Sequence, residues 1–421
     1  MVQKEGTTLR IFAYELKKLW NWRVLTLIAA LAVLVWFAFL SEALRSYDSL
    51  TTHGIYGSYQ KEMFERYGGT LEPEELADYD IPGKKAAIFS EMDAIIANEA
   101  IFAENKIRNY AEFQAFADAD YAGSMNEAEW KSFSEKVSQM RSKLSLSSDT
   151  QTLDEWYDSP LMRLQTLAAL ERTYVDYESS LRSYIDRDSR PVVVRAAEQI
   201  LHMRNANLIS YDLCRTFSLY AAVAGVFSAV AVILFVAPLL TTDRMHKINL
   251  IQYSSAIGRR ILGIQLAATA VSAFVLSILL IVAAYAPFLL SGAGDYWNVP
   301  ILSFTGFDML LYNITFGQYA FILAGMILAL SVGAGCFAFI LARFSTNMVT
   351  MLIKTVPAGV AVAGIAVLSV NMALSYNNVV FSAIFRGRWD APEILVCAFV
   401  AVVGMFAAAV VAMREKRVDV P

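Results

Sequence analysis

Residues Thr241–Gln265 read TTDRMHKINLIQYSSAIGRRILGIQ and lie between two long apolar segments. The stretch contains one acidic residue, Asp243, and four basic residues in its loop: Arg244, Lys247, Arg259 and Arg260. Short loops rich in Lys and Arg mark the cytoplasmic side of a membrane protein. We therefore expect two membrane spans joined by a cytoplasmic loop over residues 241–260. The amphipathic pattern of Ile248–Ile257 predicts a short helix at the membrane surface.

The composition of the whole chain agrees with this expectation. Hydrophobic residues make up 57% of the 421 residues and charged residues only 18%, which indicates a polytopic membrane protein rather than a soluble one. Residues 45–212 contain 29 acidic and 18 basic side chains, whereas the rest of the chain contains 10 acidic and 17 basic ones. Acidic side chains are thus concentrated in one hydrophilic block, and basic side chains lie near the membrane.

Six apolar segments are long enough to cross a bilayer, which takes about 20 residues. They are Val24–Leu44, Leu213–Leu240, Ile261–Leu290, Leu310–Ala342, Val349–Ser375 and Glu393–Met413. The first segment is too long for the apolar core of a secretory signal peptide, and no clear cleavage site follows it, so we expect an uncleaved span. The spans hold few ionisable residues, which argues against transport driven by an ion gradient.

Basic residues predict the orientation of these spans. Arg343 and Lys354 flank the loop between the fourth and fifth spans, and Arg414, Lys416 and Arg417 follow the sixth. The loop Ser291–Met309 has no Lys or Arg. We therefore expect both termini in the cytoplasm and residues 45–212 on the extracytoplasmic side. Arg386 and Arg388 fall on the outer side against this rule, where long basic side chains can reach the lipid headgroups.

Residues 1–23 precede the first span and carry apolar side chains at helical spacing: Leu9, Phe12, Leu16 and Trp20. Lys17 and Lys18 flank this stripe, and Glu15 lies within it. The pattern predicts an amphipathic helix in the inner membrane interface, with Trp20 and Trp22 at the level of the headgroups. The helix could be a simple anchor for the first span or a contact surface for another protein.

The hydrophilic block, residues 45–212, has a helical pattern almost throughout. We expect helices over Lys84–Ala117, over Glu127–Leu146 with Asn126 as its N-cap, and over Leu161–Asp186. Pro191 is expected to begin a further helix that continues into the second span. The three cysteines, Cys214, Cys336 and Cys397, lie in or beside apolar segments, so the block has no disulfide framework and depends on a packed core. The predicted fold class is all-α: six transmembrane helices, with spans two to six in residues 213–421, and a large helical extracytoplasmic domain between spans one and two.

Catalytic motifs are weak in this sequence. Gly292-Ala293-Gly294-Asp295 matches the G-x-G-D of intramembrane aspartyl proteases, and Tyr211-Asp212 precedes it. That chemistry needs two carboxylates in one site, whereas both aspartates fall at the outer edges of spans. The sequence has no G-x-x-x-x-G-K-[ST] motif for ATP, no H-E-x-x-H, no G-x-S-x-G and no cluster of His and Cys. We therefore expect no catalytic residues, no metal and no cofactor in this chain.

The loop resembles the second cytoplasmic loop of the type-2 permeases of ATP-binding-cassette (ABC) exporters. Asp243 and Arg244 match the acidic-basic start of that loop, Ser254-Ser255 match its small residues, and Arg259 falls at its arginine. Lys247 stands where the family usually has Gly, and Ala256 stands where it usually has Pro. The six-span layout extends the resemblance over the whole chain.

The resemblance implies a permease subunit that moves a peptide, lipid or drug-like substrate out across the plasma (inner) membrane. Two ATPase subunits, which bind ATP and Mg, and a second permease chain, identical or homologous, are the implied protein partners, along with membrane lipid and without nucleic acid. The loop would be a coupling helix that docks in the ATPase, with five coupling residues: Asp243, Arg244, Lys247, Arg259 and Arg260. Residues 1–23 would be the connecting helix, with Glu15, Lys17, Lys18 and Trp20.

Two other interpretations stay open at this stage. The basic loop could be a topology signal and nothing more. The chain could also be a membrane-anchored sensor or immunity scaffold, whose extracytoplasmic domain binds a peptide without moving it. The two function classes differ in one observable respect, because only the transporter requires a separate ATPase.

Overall fold

A computed structural model describes residues 2–53, 57–118, 126–146, 152–187, 190–209, 211–248, 258–305, 308–376 and 389–415, together with residues 378, 381 and 385. Residues 249–257 of the predicted coupling helix lie outside this set, and so do Arg386, Arg388, Lys416 and Arg417. The match of Ser254 and Ser255 to the family loop, and the departure at Ala256, therefore remain sequence observations.

The chain begins with two helices that meet at Asn21. Helix α1 spans Val2–Leu19 and α2 spans Trp22–Val35; a π-helical turn, Trp36–Leu40, then leads into α3, Ser41–His53. The Asn21 side chain accepts a hydrogen bond from the Arg23 backbone N–H at 3.0 Å, which is how Asn caps the start of a helix. The cap separates α1 from the first span and lets α1 take its own direction.

Helices also dominate the inter-span region, which we define as residues 48–210. After α3 come α4 (Gly57–Tyr67), β1 (Thr70–Leu71), α5 (Pro73–Asp78), α6 (Ile81–Asn98), α7 (Ala100–Glu104), α8 (Tyr110–Asp118), α9 (Glu127–Leu144), α10 (Leu153–Tyr157), α11 (Pro160–Tyr174), α12 (Tyr177–Arg187), α13 (Pro191–His202) and β2 (Ala206–Asn207). Strands β1 and β2 pair antiparallel. The expected helix from Glu127 with Asn126 as its N-cap is confirmed, and Glu129 completes a capping box.

The expected helix over Lys84–Ala117 is wrong, because the chain breaks twice within it. Glu99 is extended between α6 and α7, and Lys106 adopts a left-handed φ of 60° before α8. These breaks turn the fully buried Phe102 into the core. The Asp93 carboxylate accepts a hydrogen bond from the Tyr110 backbone N–H at 2.7 Å, so it holds the start of α8 against α6. Tertiary packing thus overrides a helical local pattern.

Two further helix expectations also differ from the structure. The predicted helix over Leu161–Asp186 ends at Tyr174, because the Val175 and Asp176 backbone N–H groups both donate to the Glu171 carbonyl at 2.7 and 3.1 Å. Helix α13 begins at Pro191 as expected but does not continue into the second span. It stops at His202, and the chain then extends to pair with β1.

The rest of the chain forms five long helices joined by short segments. They are α14 (Tyr211–Met245), α15 (Ile261–Leu290), α16 (Phe316–Arg343), α17 (Met348–Val370) and α18 (Pro392–Glu415), with a hairpin of β3 (Phe304–Thr305) and β4 (Asp308–Met309) between α15 and α16. The fourth span was expected from Leu310. It begins instead at Phe316, where the Thr315 hydroxyl accepts from the Gln318 N–H and caps the helix. The all-α expectation is therefore modified by two small strand pairs.

Within the described residues, six helices are long and apolar enough to cross a membrane, as the sequence predicts. We call them spans 1 to 6; span 1 is Trp22–Tyr47, and spans 2 to 6 are helices α14 to α18 in order. Span 2 packs against spans 3, 4 and 5, and span 4 also packs against span 6. The close contact of spans 4 and 6 depends on glycine: a Cβ on Gly404 would lie 3.0 Å from the Gly333 carbonyl oxygen. Small residues let membrane helices approach in this way.

The alternation of the spans gives the bundle two different ends. One end, the basic end, holds the described residues 2–23, 241–248, 258–260, 343–354 and 414–415, which contain 12 Lys and Arg but only four Asp and Glu. The other end carries the inter-span region together with the connecting segments 291–315 and 371–391. The uneven distribution of charge that the sequence suggests is therefore present in the folded molecule as a difference between the two ends of the bundle.

The inter-span region packs directly on the 291–315 segment. The rings of Phe64 and Tyr296 pack at a tilt of 32° with centroids 4.3 Å apart, and the Asn207 side-chain amide donates to the Leu302 carbonyl at 2.7 Å. Gly69 lies so close to Val299 that a Cβ on Gly69 would be 2.6 Å from a Val299 methyl carbon. The inter-span region and the bundle thus meet through a tightly packed contact.

Gly69→Ala should lower the melting temperature of the detergent-purified protein. The added methyl overlaps the buried Val299 side chain, and overpacking of this kind costs about 1–3 kcal/mol. Val299→Ala in the same chain should recover most of this loss, because it removes the methyl that the new Cβ meets. Gly364→Ala is the matched control, since a Cβ there has no atom within 4 Å. Equal melting temperatures for Gly69→Ala and Gly364→Ala would contradict the packing.

Candidate functional site

Helix α1 lies against the basic end of the bundle and packs on spans 2 and 3. Leu19 is buried, and Phe12 and Leu16 pack partly buried against the same cluster. Leu9, the first residue of the expected stripe, is 69% exposed. Among the described side chains of α1, the apolar contact with the bundle thus runs from Phe12 to Leu19 and does not include Leu9.

Trp20 joins α1 to spans 2 and 3. Its indole N–H donates to the Ser272 hydroxyl at 3.3 Å, and its ring meets Phe235 edge to face with centroids 5.6 Å apart. The sequence analysis placed Trp20 among the headgroups, whereas the structure packs it on the bundle. Trp22, its neighbour in that expectation, is 70% exposed.

Charged side chains are buried where α1 meets the ends of spans 2 and 3. The Lys18 ammonium forms an ion pair with the Asp243 carboxylate of span 2 and lies 3.6 Å from the Glu15 carboxylate. Glu15 also hydrogen-bonds the side chain of Gln265 in span 3. Glu15, Asp243 and Gln265 are all less than a tenth exposed. We call Glu15, Lys18, Asp243 and Gln265 the latch, because together they join α1 to two spans.

The latch contains two carboxylates but only one cation. Burial raises the pKa of Glu15 above its ordinary value of 4.5, and the nearby Asp243 charge acts in the same direction. The Lys18 ammonium and the Gln265 hydrogen bond oppose this shift without cancelling it. The folded protein therefore holds a proton on Glu15 more tightly than the unfolded chain does.

A second set of contacts joins spans 2, 4 and 6 at the same end. The Arg244 guanidinium donates to the Arg343 backbone carbonyl, and Arg343 Nε donates to the Glu415 carboxylate at 2.6 Å. Lys354, near the start of span 5, donates to the Phe344 carbonyl at 2.7 Å. We call Arg244, Arg343 and Glu415 the belt. It links the ends of three spans through two guanidinium groups.

The predicted coupling residues therefore fall into two groups. Asp243 and Arg244 are used inside the chain, in the latch and the belt. Lys247 and Arg260 are exposed, and so is Lys17 on α1, which leaves these three side chains accessible to another molecule. Arg259 has its backbone in the 3-10 turn Gly258–Arg260, and its side chain lies outside the part of the molecule described.

Lys247 has an unusual backbone conformation. Span 2 ends at Met245, and Lys247 follows with a left-handed φ of 55°. This region favours glycine, the residue that commonly ends a helix in this way. The family that the loop resembles usually has Gly at this position, so a left-handed turn at Lys247 suits the resemblance although the residue type departs from it.

The structure gives no support to a protease site at Gly292-Ala293-Gly294-Asp295. Gly292 has a φ of 104° and starts a 3-10 turn, and Asp295 in that turn is exposed. Within the described residues, no group of three or more His, Cys, Asp or Glu side chains could hold a metal ion. The three cysteines are buried free thiols.

Sequence reasoning named Glu15, Lys18 and Asp243 but not their mutual contact, and it missed Ser272 and Glu415 as partners. One signal in the sequence could have found the latch. Glu15 falls between Phe12 and Leu16 on the apolar stripe of α1, and a charged residue on a buried face requires a partner. The helical spacing of these residues shows which face of α1 Glu15 occupies. It does not show which residue, distant in the sequence, Glu15 contacts.

Comparison of the chain with protein-family models, with curated proteins and with solved structures finds no match. The resemblance to ABC type-2 permeases therefore rests on the loop residues and on the six-span layout.

Lys18→Met should destabilise the protein by about 3 kcal/mol, the lower end of the cost of leaving buried charge unpaired. It leaves the Glu15 and Asp243 carboxylates together without a cation. Lys17→Met is the matched control, since it removes an exposed neighbouring charge and should change the stability by less than about 0.5 kcal/mol. The measurement is thermal unfolding in detergent at neutral pH, and equal effects of the two variants would rule out the latch.

Glu15→Gln should change how stability depends on pH. Because the folded protein holds the Glu15 proton more tightly than the unfolded chain does, wild-type stability falls as pH rises from 4.5 through the raised pKa. The variant lacks this loss, so its melting temperature relative to wild type should rise with pH across that window. A difference that is constant between pH 4 and 8 would contradict the burial of an ionisable Glu15.

Proposed function

We propose that this chain is the membrane permease subunit of an ATP-driven exporter and works with a separate ATPase. The observation that supports the proposal best is the latch, which fastens α1 beside the basic loop after span 2. Exposed Lys17, Lys247 and Arg260 then lie at one end of the bundle, next to contacts that reach four of the six spans. A basic surface of this kind suits the docking of a soluble motor protein.

Motion at this surface would reach the far side of the membrane through span 2. Its helix runs without interruption over 35 residues, a length of roughly 50 Å at 1.5 Å per residue. At the other end, Phe217 packs against Phe288 of span 3 and Phe316 of span 4. ATP-driven closure of two ATPase subunits would thus move span 2 as a rigid body and carry its neighbours with it.

The coupling residues take separate roles in this proposal. Lys247 and Arg260, with Arg259, dock on the ATPase. Asp243 and Arg244 hold the register of span 2 against α1 and span 4, so that a push on the loop displaces several helices together. ATP and Mg are bound by the two ATPase subunits, and a second permease chain completes the path for an amphipathic or apolar substrate.

The proposal places the basic end in the cytoplasm of a cell whose plasma membrane the six spans cross, with the inter-span region outside. This follows from the rule that Lys and Arg are retained on the cytoplasmic side. Both termini are then cytoplasmic, because α1 and the end of span 6 share the basic end.

Single cysteines at Lys247 and Lys131 test this orientation, since both positions are exposed and the three native thiols are buried. A membrane-impermeant maleimide should label Lys131→Cys in intact cells and Lys247→Cys only after permeabilisation. The opposite pattern would reverse the topology, because each residue lies on a different end of the bundle.

Charge reversal at Lys247 and Arg260 tests the docking surface. Tagged wild-type chain, purified in mild detergent, should bring down a stoichiometric soluble protein with the G-x-x-x-x-G-K-[ST] motif. Lys247→Glu with Arg260→Glu should reduce its recovery at least about tenfold, since like charges then face the partner. Lys131→Glu with Lys136→Glu makes the same change of net charge in the inter-span region and should leave recovery unchanged. If a folded wild-type chain retains no ATPase from the native membrane, the exporter proposal fails.

A second candidate function is a sensor or immunity scaffold that binds an extracellular molecule without transporting it. A cavity between the inter-span region and the 291–315 segment favours this candidate. Isolation of the chain without any ATPase, together with ligand binding at that cavity, would decide for the sensor.

A further inference from the structure

A cavity of about 140 Å³ lies where the inter-span region meets the 291–315 segment. Its apolar wall is formed by Leu71, Leu76, Ile200, Met203 and Leu302. Apolar cavities of about 150 Å³ accept a molecule the size of benzene. The space therefore suits one aromatic ring or one branched aliphatic side chain.

One side of this cavity is polar. Glu72 and Arg204, both exposed, contribute a carboxylate and a guanidinium, and Asn205 contributes an amide. The Asn205 amide nitrogen donates to the Glu72 carboxylate at 3.3 Å. This contact orients the amide, so that its oxygen is the group left to accept another hydrogen bond.

The Asn205 amide oxygen is shielded from solvent and accepts no hydrogen bond from the protein. A buried acceptor without a donor is costly, and most such groups in folded proteins have a partner. Here the oxygen belongs to a residue that lines an accessible cavity, beside a carboxylate. The amide oxygen calls for a donor, and a positively charged donor would also be attracted to the neighbouring carboxylate.

We propose that this cavity binds a primary ammonium compound whose neighbouring group is aromatic or branched aliphatic. The ammonium would donate to the Asn205 amide oxygen and the Glu72 carboxylate, and the apolar group would fill the space between Ile200 and Leu302. A free apolar amino acid and the N-terminal residue of a peptide both present this chemistry. Arg204 would favour the free amino acid by pairing with its carboxylate.

Such a ligand would touch both sides of the junction. Leu302 belongs to the segment that precedes span 4, whereas Ile200 and Asn205 belong to the inter-span region. The adjacent Asn207 already donates across the junction to the Leu302 carbonyl at 2.7 Å. The binding site goes beyond the proposed transport function, and its existence does not depend on an ATPase.

The test is equilibrium binding to the full chain in detergent, measured by calorimetry with four probes. Phenethylamine carries the ammonium and the ring alone, L-phenylalanine adds a carboxylate, the peptide Phe-Gly-Gly moves that carboxylate away, and 3-phenylpropionate lacks the ammonium. Saturable one-to-one binding of any ammonium probe, without binding of 3-phenylpropionate, supports the site. Tighter binding of phenylalanine indicates the free amino acid, and tighter binding of the peptide indicates a peptide N-terminus. Binding of no ammonium probe, or equal binding of 3-phenylpropionate, overturns the proposal.

Variants then test whether the probes bind in this cavity. Asn205→Leu should weaken the ammonium probes at least about tenfold, since a hydrogen bond to a charged group is lost. Met203→Trp should abolish binding by filling the space. Asn98→Leu, at an exposed amide on α6, should leave the affinity unchanged. Melting temperatures identify the variants that fold; if Asn205→Leu does not fold, Met203→Trp and Glu72→Gln carry the test. Wild-type affinity in the folded cavity variants would contradict the assignment, whatever the outcome of the ATPase experiment.

Discussion

The ion pair between Lys18 and Asp243 is the contact on which the arrangement of the basic end depends. The described side chains of α1 that pack on the bundle, Phe12, Leu16 and Leu19, form only a short apolar face, and Asn21 caps a separate helix after it. The pair, with Glu15 and Gln265, supplies the remaining attachment to spans 2 and 3. Charges removed from water in this way are tolerated only where partners surround them. The main effect of the latch is therefore to fix the position of α1, and its contribution to stability is secondary.

The same end of the bundle shows how a membrane protein uses charge without placing it among lipid tails. Arg244, Arg343 and Glu415 lie at helix ends, where their groups join spans 2, 4 and 6 to one another. Between the two ends, the spans rely on close backbone approach, as at Gly333 and Gly404, and on small hydrogen bonds such as Ser331 to Ser228 at 2.9 Å. Lipid offers no hydrophobic drive for helices to associate, so packing of this kind holds them together.

The inter-span region has a buried apolar core, as a water-exposed protein does. Its core residues, such as Met63, Met92 and Phe102, are fully buried, and no disulfide joins its described helices. Buried polar contacts place its parts: Gln60 donates to the Tyr174 hydroxyl at 3.0 Å, and Asn207 donates to the bundle segment. The region therefore meets the bundle through close packing at Gly69 and through hydrogen bonds from Asn207 to the Leu302 carbonyl and from Arg195 to the Asp390 carboxylate. A ligand bound in the cavity at this junction would contact both the inter-span region and the bundle segment, so it would respond to the position of one against the other or change that position.

Much of the architecture follows from the sequence alone. Six apolar runs of sufficient length dictate six spanning helices, because an unpaired backbone group in lipid is too costly for any other local structure. The helix starts at Asn126 and Pro191 could be predicted, because both residue types favour the beginning of a helix. Lys and Arg alternate with the spans, so the charge polarity of the two ends could also be predicted. Asp243, Arg244, Lys247 and Arg260 were placed at one loop for the same reason.

Only the tertiary structure decided how these residues are used. The pairing of Lys18 with Asp243, which are 225 positions apart in sequence, depends on the crossing of α1 over spans 2 and 3, and no local pattern encodes that crossing. Packing also broke the predicted helix at Glu99 and Lys106 and ended α13 at His202, where strand pairing with β1 replaces the helix. Local sequence determines which segments are helical and which are apolar. Contacts between distant segments determine where helices stop, and which charged side chains are buried in the latch and which stay exposed.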